Sequence, residues 1–184
     1  LGAEGARQNG IGKDMDFMKT KVLMVGTGGY AGVYLNELLH SEHAAAQFEL
    51  VGAVDPYAVQ GANYEALCAK NVPFFDTVEE FYAAHTADLA IVVTPIHLHA
   101  YQASYCLLHG SHVLCEKPIC STLEDAEMMI DARDRSGKKL GIGFQWSYNE
   151  GILALKHDIL DGKYGEIKQI RTIVFFPRDL AYYH

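Results

Sequence analysis

A lysine stands between a glutamate and a proline in the segment Glu116-Lys117-Pro118, directly after the short apolar run from His112 to Cys115. The run is typical of a buried strand, and a proline restricts the residue before it to extended geometry. A lysine held in this way could hydrogen-bond a substrate hydroxyl or carbonyl oxygen and stabilise negative charge as it develops there. It could also move the proton. The alternative is a surface Glu–Lys pair in a turn.

A glycine-rich loop with the spacing Gly26-x-Gly28-x-x-Ala31 lies between the strand-like run from Lys21 to Val25 and a helical pattern. This context distinguishes a dinucleotide-binding fingerprint from a chance match. Gly26 permits a tight turn, Gly28 lets the backbone approach a pyrophosphate, and Ala31 allows close helix-to-strand packing. The helix N-terminus would offer N–H groups to the phosphates. A methyltransferase that uses S-adenosylmethionine and a glycine-rich turn without a ligand are the alternatives.

An acidic residue, Asp55, ends the next strand-like run, from Phe48 to Val54, and stands 29 residues after Gly26. The usual spacing is about 20 residues, and an extended connection over residues 41–47 accounts for the excess. We expect Asp55 to accept hydrogen bonds from the adenosine ribose and to repel a 2′-phosphate. No Arg or Lys follows within the next several residues, so the sequence favours NAD over NADP. The alternative role of Asp55 is to cap the turn before Pro56.

Two histidines, His97 and His99, follow Thr94-Pro95 at the end of another buried run, Asp88 to Val93. Histidines two residues apart at a strand end can bind zinc, and a metal-dependent hydrolase is the least favoured hypothesis. No Asp, Glu or Cys lies nearby at ligand spacing, so we predict no metal site. We expect one histidine to begin a helix or to pack, and the other to border a cofactor.

Strand-like runs of about four to seven residues alternate with helical patterns of about ten to sixteen along most of the chain. This alternation predicts an α/β fold with a doubly wound parallel sheet, whose strands are buried on both faces. Ligands bind beyond the carboxyl ends of such strands. We therefore expect the glycine loop, the two histidines and Lys117 to meet at one edge of the sheet.

Composition excludes several classes of protein. The 184 residues carry a formal net charge of −8, which argues against non-specific binding to nucleic acid. No apolar run approaches the length of about 20 residues that a membrane span needs. None of the cysteines forms a C-x-x-C pair, so we expect reduced thiols and a cytoplasmic location. These cysteines are Cys68, Cys106, Cys115 and Cys120.

In combination, these segments resemble the Gfo/Idh/MocA family, named for glucose-fructose oxidoreductase, inositol 2-dehydrogenase and a rhizopine-catabolism protein. The resemblance spans most of residues 21–150, and its most specific element is the Glu-Lys-Pro motif. It implies a hydride transfer between NAD(P) and a hydroxyl or keto carbon of a sugar, polyol or related compound. The matching pieces are Val25-Gly26-Thr27-Gly28-Gly29-Tyr30-Ala31, Val54-Asp55, Val93-Thr94-Pro95 with His99, His112-Val113-Leu114-Cys115-Glu116-Lys117-Pro118, and Gly143-Phe144-Gln145.

The resemblance also implies site residues. Lys117 would be the catalytic lysine. Trp146 is expected either near the nicotinamide or in packing between two domains. The residues expected along the cofactor are Gly26, Thr27, Gly28, Gly29, Tyr30 and Ala31 at the pyrophosphate, Asp55 at the ribose, Thr94, Pro95, His97 and His99 along its length, and Glu116, Lys117 and Gln145 toward the nicotinamide.

Three regions follow from this interpretation. Residues 1–18 are expected to be a leader that is disordered or not native, and residues 19–145 a Rossmann domain that binds NAD(P). Residues 146–184 would begin an incomplete α/β domain, with Ile167 to Phe176 as the first strand of a mainly antiparallel sheet. That domain would bind the substrate and make the full-length protein a homo-oligomer.

The family usually carries an Asp-x-x-x-His pair in its second domain, with the histidine as the acid or base. The sequence after Gln145 contains no such pair, and His157 lies on a predicted helix where it does not fit the pattern. The proton-transfer partner is therefore expected in a missing part of the second domain. A non-catalytic dinucleotide-binding module is the alternative function.

Overall fold

A computed structural model describes residues 18–183, which group into two compact units. The first unit ends at Gly143 and the second begins at Phe144. The predicted leader, residues 1–18, lies outside the described residues apart from Met18.

The first unit is built on a parallel sheet with the strand order β3-β2-β1-β4-β5-β6. The order reverses between β1 and β4, which is the doubly wound arrangement of a Rossmann fold. The predicted fold class is confirmed. The strands are β1 (Thr20–Val25), β2 (Phe48–Val54), β3 (Phe74–Phe75), β4 (Leu89–Val92), β5 (His112–Cys115) and β6 (Leu140–Ile142).

Helices alternate with these strands, as the sequence predicts. The connection that lengthens the interval between Gly26 and Asp55 is itself a short helix, α2, capped by the Ser41 hydroxyl, which accepts from the Ala44 N–H. The helices are α1 (Ala31–His40), α2 (Glu42–Gln47), α3 (Tyr64–Ala69), α4 (Val78–Ala84), α5 (Ile96–Leu108), α6 (Leu123–Ser136) and, in the second unit, α7 (Glu150–Leu160); short 3-10 helices span Ala58–Gln60, Gln145–Tyr148 and Leu180–Tyr183.

The central strand β1 shows why the runs are continuously apolar. Val22 and Met24 point to one face of the sheet, where they pack with α1, and Leu23 and Val25 point to the other, where they pack with α4 and α5. All four side chains are fully buried. Helices on both faces leave no position for a polar side chain from Val22 to Val25, whereas Thr20 and Lys21 lie at the less buried start of the strand.

Local capping signals set where several helices begin and end. The Thr77 hydroxyl accepts from the Glu80 N–H at 3.2 Å and begins α4. Gly137 ends α6 with a left-handed backbone at φ 64°. Gly110 follows the last residues of α5 with φ 97°. These glycines adopt a conformation that other residues rarely take.

The second unit differs from the prediction at residues 167–176. The structure assigns no strand there, and large apolar side chains such as Ile170 and Phe175 are exposed. The prediction of a strand in this segment is wrong, because high strand propensity does not supply a hydrogen-bonding neighbour. No strand among the described residues pairs with it. Within residues 18–183, no helix has both the length and the apolar character needed to cross a membrane.

Candidate active site

The candidate site lies where the strand order reverses, beyond the carboxyl ends of β1 and β4. The loops after these strands approach closely at Gly26, which has φ 90°. A Cβ on Gly26 would lie 3.0 Å from Thr94 Cγ2 and 3.1 Å from the Thr94 nitrogen. Both the backbone conformation and the space therefore require glycine at this position.

The glycine loop presents an open face at the start of α1. A Cβ built on Gly28 or Gly29 would meet nothing within 4 Å, and both glycines are exposed. Tyr30 takes the N-cap position of α1, and its side chain does not cap the helix. The loop thus leaves room for a ligand against its backbone, and the helix dipole favours an anionic group there. Ala31 is fully buried under the loop, as helix-to-strand packing requires.

Asp55 supports this loop from the end of β2. Its Oδ2 accepts from the Thr27 nitrogen at 2.9 Å and from Thr27 Oγ1 at 2.7 Å. Its Oδ1 accepts from the Tyr57 nitrogen at 2.9 Å, so the turn-capping role considered above is present as well. Asn63 Nδ2 donates to the Thr27 carbonyl at 2.7 Å. Thr27 is 1% exposed and is part of the support of the loop rather than of its open face.

Glu116 is a buried carboxylate, 5% exposed, at the end of β5. Tyr34 Oη, from α1, donates to Glu116 Oε1 at 2.6 Å, and the Lys117 nitrogen donates to Oε2 at 3.0 Å. Burial, followed by the hydrogen bond to this carboxylate, raises the pKa of Tyr34 above its usual value. The backbone after β6 packs against the same group, since a Cβ on Gly143 would lie 2.6 Å from Glu116 Oε1.

Lys117 itself is exposed, and its ammonium nitrogen lies 5.6 Å from the centre of the Tyr30 ring. This cation–π contact joins the end of β5 to the glycine loop. A recess of about 120 Å³ opens between them. It is lined by Tyr30, Val93, Thr94, Ile96, His99, Glu116, Lys117 and Pro118. Tyr30 of the glycine loop, His99 and Lys117 therefore meet at one recess in the first unit, whereas His97 is not among the residues that line it.

The two histidines take different positions. His97 is exposed in the first turn of α5, after Pro95 at the N-cap. His99 is 2% exposed, and each of its ring nitrogens lies within 2.9 Å of a backbone carbonyl oxygen. Thr94 Oγ1 donates to Gln102 Oε1 at 2.5 Å, which fixes the loop that begins this helix. Within residues 18–183, no group of three or more potential metal-ligating side chains is present.

Gln145 and Trp146 belong to the second unit, where both are exposed in the 3-10 helix Gln145–Tyr148. Their predicted contact with the nicotinamide stays a prediction. All four cysteines are free thiols. Burial raises the pKa of both Cys106 and Cys115 to about 12, which makes these thiols poor nucleophiles.

Sequence reasoning missed three residues that support the site: Tyr34, Asn63 and Gly143. Tyr34 had a usable signal, because it follows Ala31 by three residues and so shares its face of the helix. Gly143 was noted only as part of a motif, although its lack of a side chain is what admits the Glu116 carboxylate. Asn63 had no signal, since its contact with Thr27 spans 36 residues.

A family model described as an oxidoreductase family with an NAD-binding Rossmann fold, Gfo/Idh/MocA, matches residues 20–144. The chain belongs to this family, and the predicted resemblance is confirmed. The match covers the whole sheet and every residue of the recess, so a nicotinamide dinucleotide is the cofactor of the family to which these residues belong.

Relatives of this chain include dehydrogenases and reductases of sugars and polyols. Glucose-6-phosphate 3-dehydrogenase of Bacillus subtilis is 30% identical over 162 residues, which are 88% of this chain and 43% of that protein. 1,5-Anhydro-D-fructose reductase of Ensifer adhaerens is 34% identical over 136 residues, 72% of this chain and 40% of that protein. The chain thus spans about two fifths of the length of these relatives.

Solved structures show the same architecture. The WlbA dehydrogenase from Bordetella pertussis, in complex with NADH and UDP-GlcNAcA, superposes with a TM-score of 0.65 at 29% identity. The superposition covers 80% of this chain and 43% of that one. Scyllo-inositol dehydrogenase from Lactobacillus casei, with NAD(H) and scyllo-inositol, gives a TM-score of 0.69 at 21% identity over the same shares, which supports the fold alone.

Proposed function

We propose that this chain is the dinucleotide-binding part of an NAD-dependent oxidoreductase acting on a hydroxyl or keto carbon of a sugar, polyol or related compound. The observation that carries the proposal is the recess, where Lys117 and the buried Glu116 carboxylate lie beside Tyr30 of the glycine loop. A dinucleotide-binding loop and a cationic hydrogen-bond donor share one pocket there. The chain spans only part of the length of its relatives, so the activity of the whole protein is itself part of this proposal.

The residues present fit a dinucleotide. The open backbone face at Gly28 and Gly29 would hold the pyrophosphate at the start of α1. Asp55 Oδ1 accepts one hydrogen bond within the protein and retains a lone pair for a ribose hydroxyl. Its negative charge opposes a 2′-phosphate, which supports a preference for NAD over NADP. When bound, the nicotinamide supplies or accepts the hydride.

In this proposal, Lys117 binds and polarises the substrate oxygen. Its ammonium group donates a hydrogen bond to the substrate oxygen and stabilises the negative charge that develops there. Glu116 Oε2 accepts from the Lys117 backbone N–H and so fixes where the lysine side chain begins. Tyr30 packs against the lysine and borders the recess.

A Lys117→Ala variant tests this function. The full-length protein is incubated with NAD and a panel of sugars and polyols, and NADH absorbance is followed. We expect turnover to be lost in the variant, while NADH affinity stays within about threefold because the lysine is exposed and off the pyrophosphate loop. Glu124→Ala, an exposed acidic position on α6, is the control. Unchanged turnover in Lys117→Ala would contradict the proposal.

A non-catalytic dinucleotide-binding module is the second candidate. The open backbone face at Gly28 and Gly29 would hold a dinucleotide in such a module as well. Saturable NADH binding without turnover on any compound of the panel would support this candidate.

We also propose, on the family resemblance, that the full-length protein is a cytoplasmic homo-oligomer with no nucleic acid or membrane partner. Sedimentation of the full-length protein tests its oligomeric state.

A further inference from the structure

His99 is a buried histidine between two loops of the candidate site. It lies in the first turn of α5 and is 2% exposed. Its Nδ1 is 2.9 Å from the Pro118 carbonyl oxygen, in the loop after β5. Its Nε2 is 2.7 Å from the Thr94 carbonyl oxygen, in the loop after β4. The ring therefore contacts two of the three loops that line the recess.

The two contacts restrict the protonation state of the His99 ring. A carbonyl oxygen only accepts hydrogen bonds, and a neutral imidazole carries a single N–H. A neutral His99 would satisfy one carbonyl and place the bare lone pair of its other nitrogen against the second. An imidazolium, with a hydrogen on each nitrogen, satisfies both. Leaving a buried polar group without its hydrogen bond is unfavourable, so the geometry favours the doubly protonated ring.

The charges around the recess suit a cation at this position. Glu116, whose carboxylate is buried, lines the recess together with His99. The other charged or titratable side chains that line it are the Lys117 ammonium and the Tyr30 phenol. Lys117 is exposed to solvent, whereas Glu116 is buried, so a protonated His99 would balance the one buried carboxylate that lines the recess.

We propose that His99 is a positioning residue that donates one hydrogen bond from each ring nitrogen and so ties the loop after β4 to the loop carrying Lys117. The backbone of Lys117 is then held on both sides. Its N–H donates to Glu116 Oε2, and the carbonyl of the next residue, Pro118, accepts from His99. The exposed lysine side chain starts from a fixed backbone although nothing buries the side chain itself. The consequence for catalysis rests on the proposed function.

The protonation of His99 is tested on the unmodified protein with long-range ¹H–¹⁵N spectra of its histidine rings. We expect both ring nitrogens of His99 to show the shift of a protonated nitrogen at pH 7. His40, exposed in the last turn of α1, serves as the reference ring. One protonated and one bare nitrogen in His99 would overturn the proposal. The measurement needs no variant and no dinucleotide.

The positioning role is tested with two variants that each keep one contact. His99→Asn retains an amide group near Nδ1 and can still donate to Pro118, whereas His99→Gln retains one near Nε2 and can still donate to Thr94. Lysines are reductively methylated with ¹³C, and Lys117→Arg identifies the Lys117 signal. We expect that signal, displaced by the nearby Tyr30 ring, to move toward an exposed-lysine value in His99→Gln and less in His99→Asn.

His109→Gln, at the exposed C-cap position of α5, is the control and should leave the Lys117 signal unchanged. Circular dichroism confirms that each variant is folded. A Lys117 signal that stays in place in both His99 variants would overturn the positioning role. Failure to bind NADH would instead count against the proposed function, and it would leave both His99 measurements intact.

Discussion

The loop after β1 and the loop after β5 border one recess, but they are held in different ways. The glycine loop is anchored through Thr27, which donates two hydrogen bonds to Asp55 and accepts one from Asn63, and its outer face at Gly28 is open. The lysine loop is anchored by the buried Glu116 carboxylate, and its functional side chain is exposed. The glycine loop offers a backbone surface of fixed shape, whereas the lysine loop has to position one flexible side chain.

Gly26→Ala should break the first loop and have the largest effect. The new Cβ would meet Thr94 at 3.0 Å, and the backbone at φ 90° is unfavourable for alanine. We expect the free energy of unfolding to fall by roughly 3 kcal/mol, from left-handed strain and overpacking combined. Urea unfolding measures it. Gly32→Ala, where the nearest atom to the Cβ is 3.8 Å away, is the control and should not destabilise. Equal stability of Gly26→Ala and the wild type would contradict the account.

Tyr34→Phe should weaken the support of the lysine loop, with a smaller effect on the free energy of unfolding. It removes the hydrogen bond to Glu116 and leaves a buried carboxylate oxygen with one donor fewer. We expect a loss of about 1–2 kcal/mol in unfolding free energy and a changed Lys117 environment. Tyr82→Phe, which loses a hydrogen bond to Ser111 remote from the recess, controls for a lost phenol. The account would be wrong if both variants changed Lys117 equally.

Alkaline pH should reveal the contribution of Tyr34 to stability, with the smallest of these effects. The pKa of Tyr34 is raised in the folded state from 10.0, so the stability it contributes is present below about pH 10 and lost as the pH rises beyond that. Tyr82, Cys106 and Cys115, whose pKa values are also raised, act in the same direction. We expect wild-type unfolding free energy to fall from pH 9 to pH 11, and to fall less steeply in Tyr34→Phe. Identical slopes would exclude this role for Tyr34.

The sequence predicted the fold and the edge of the sheet that carries the site, because both follow from local patterns. Strand β1 has a continuous apolar run from Val22 to Val25, and Gly26 and Gly28 mark the turn that leaves it. It did not predict how the site residues are held. The contact between Tyr34 and Glu116 spans 82 residues, and the contact between Asp55 and Thr27 spans 28. Such partners are set by the order of the strands and not by spacing along the chain.

The prediction of a strand at residues 167–176 failed because it also depended on a distant partner, which strand propensity alone does not supply. A run rich in isoleucine, valine and phenylalanine has the propensity of a strand. A strand also needs a neighbour to satisfy its backbone, and none among the described residues provides it. Propensity identified β1 and β4 correctly only because each has partners within the sheet.

The most direct test of the central claim is a titration of the protein and of Gly28→Ala with NADH and, separately, with NADPH. A Cβ at Gly28 meets no protein atom within 4 Å, so the variant should fold normally while its methyl group occupies the face proposed for the pyrophosphate. We predict saturable binding by the wild type, tighter for NADH than for NADPH, and affinity weakened at least about tenfold in Gly28→Ala, or 1.4 kcal/mol. Gly32→Ala should bind as the wild type does. Equal NADH affinity in Gly28→Ala and the wild type, or no saturable binding by the folded wild type, would contradict the account.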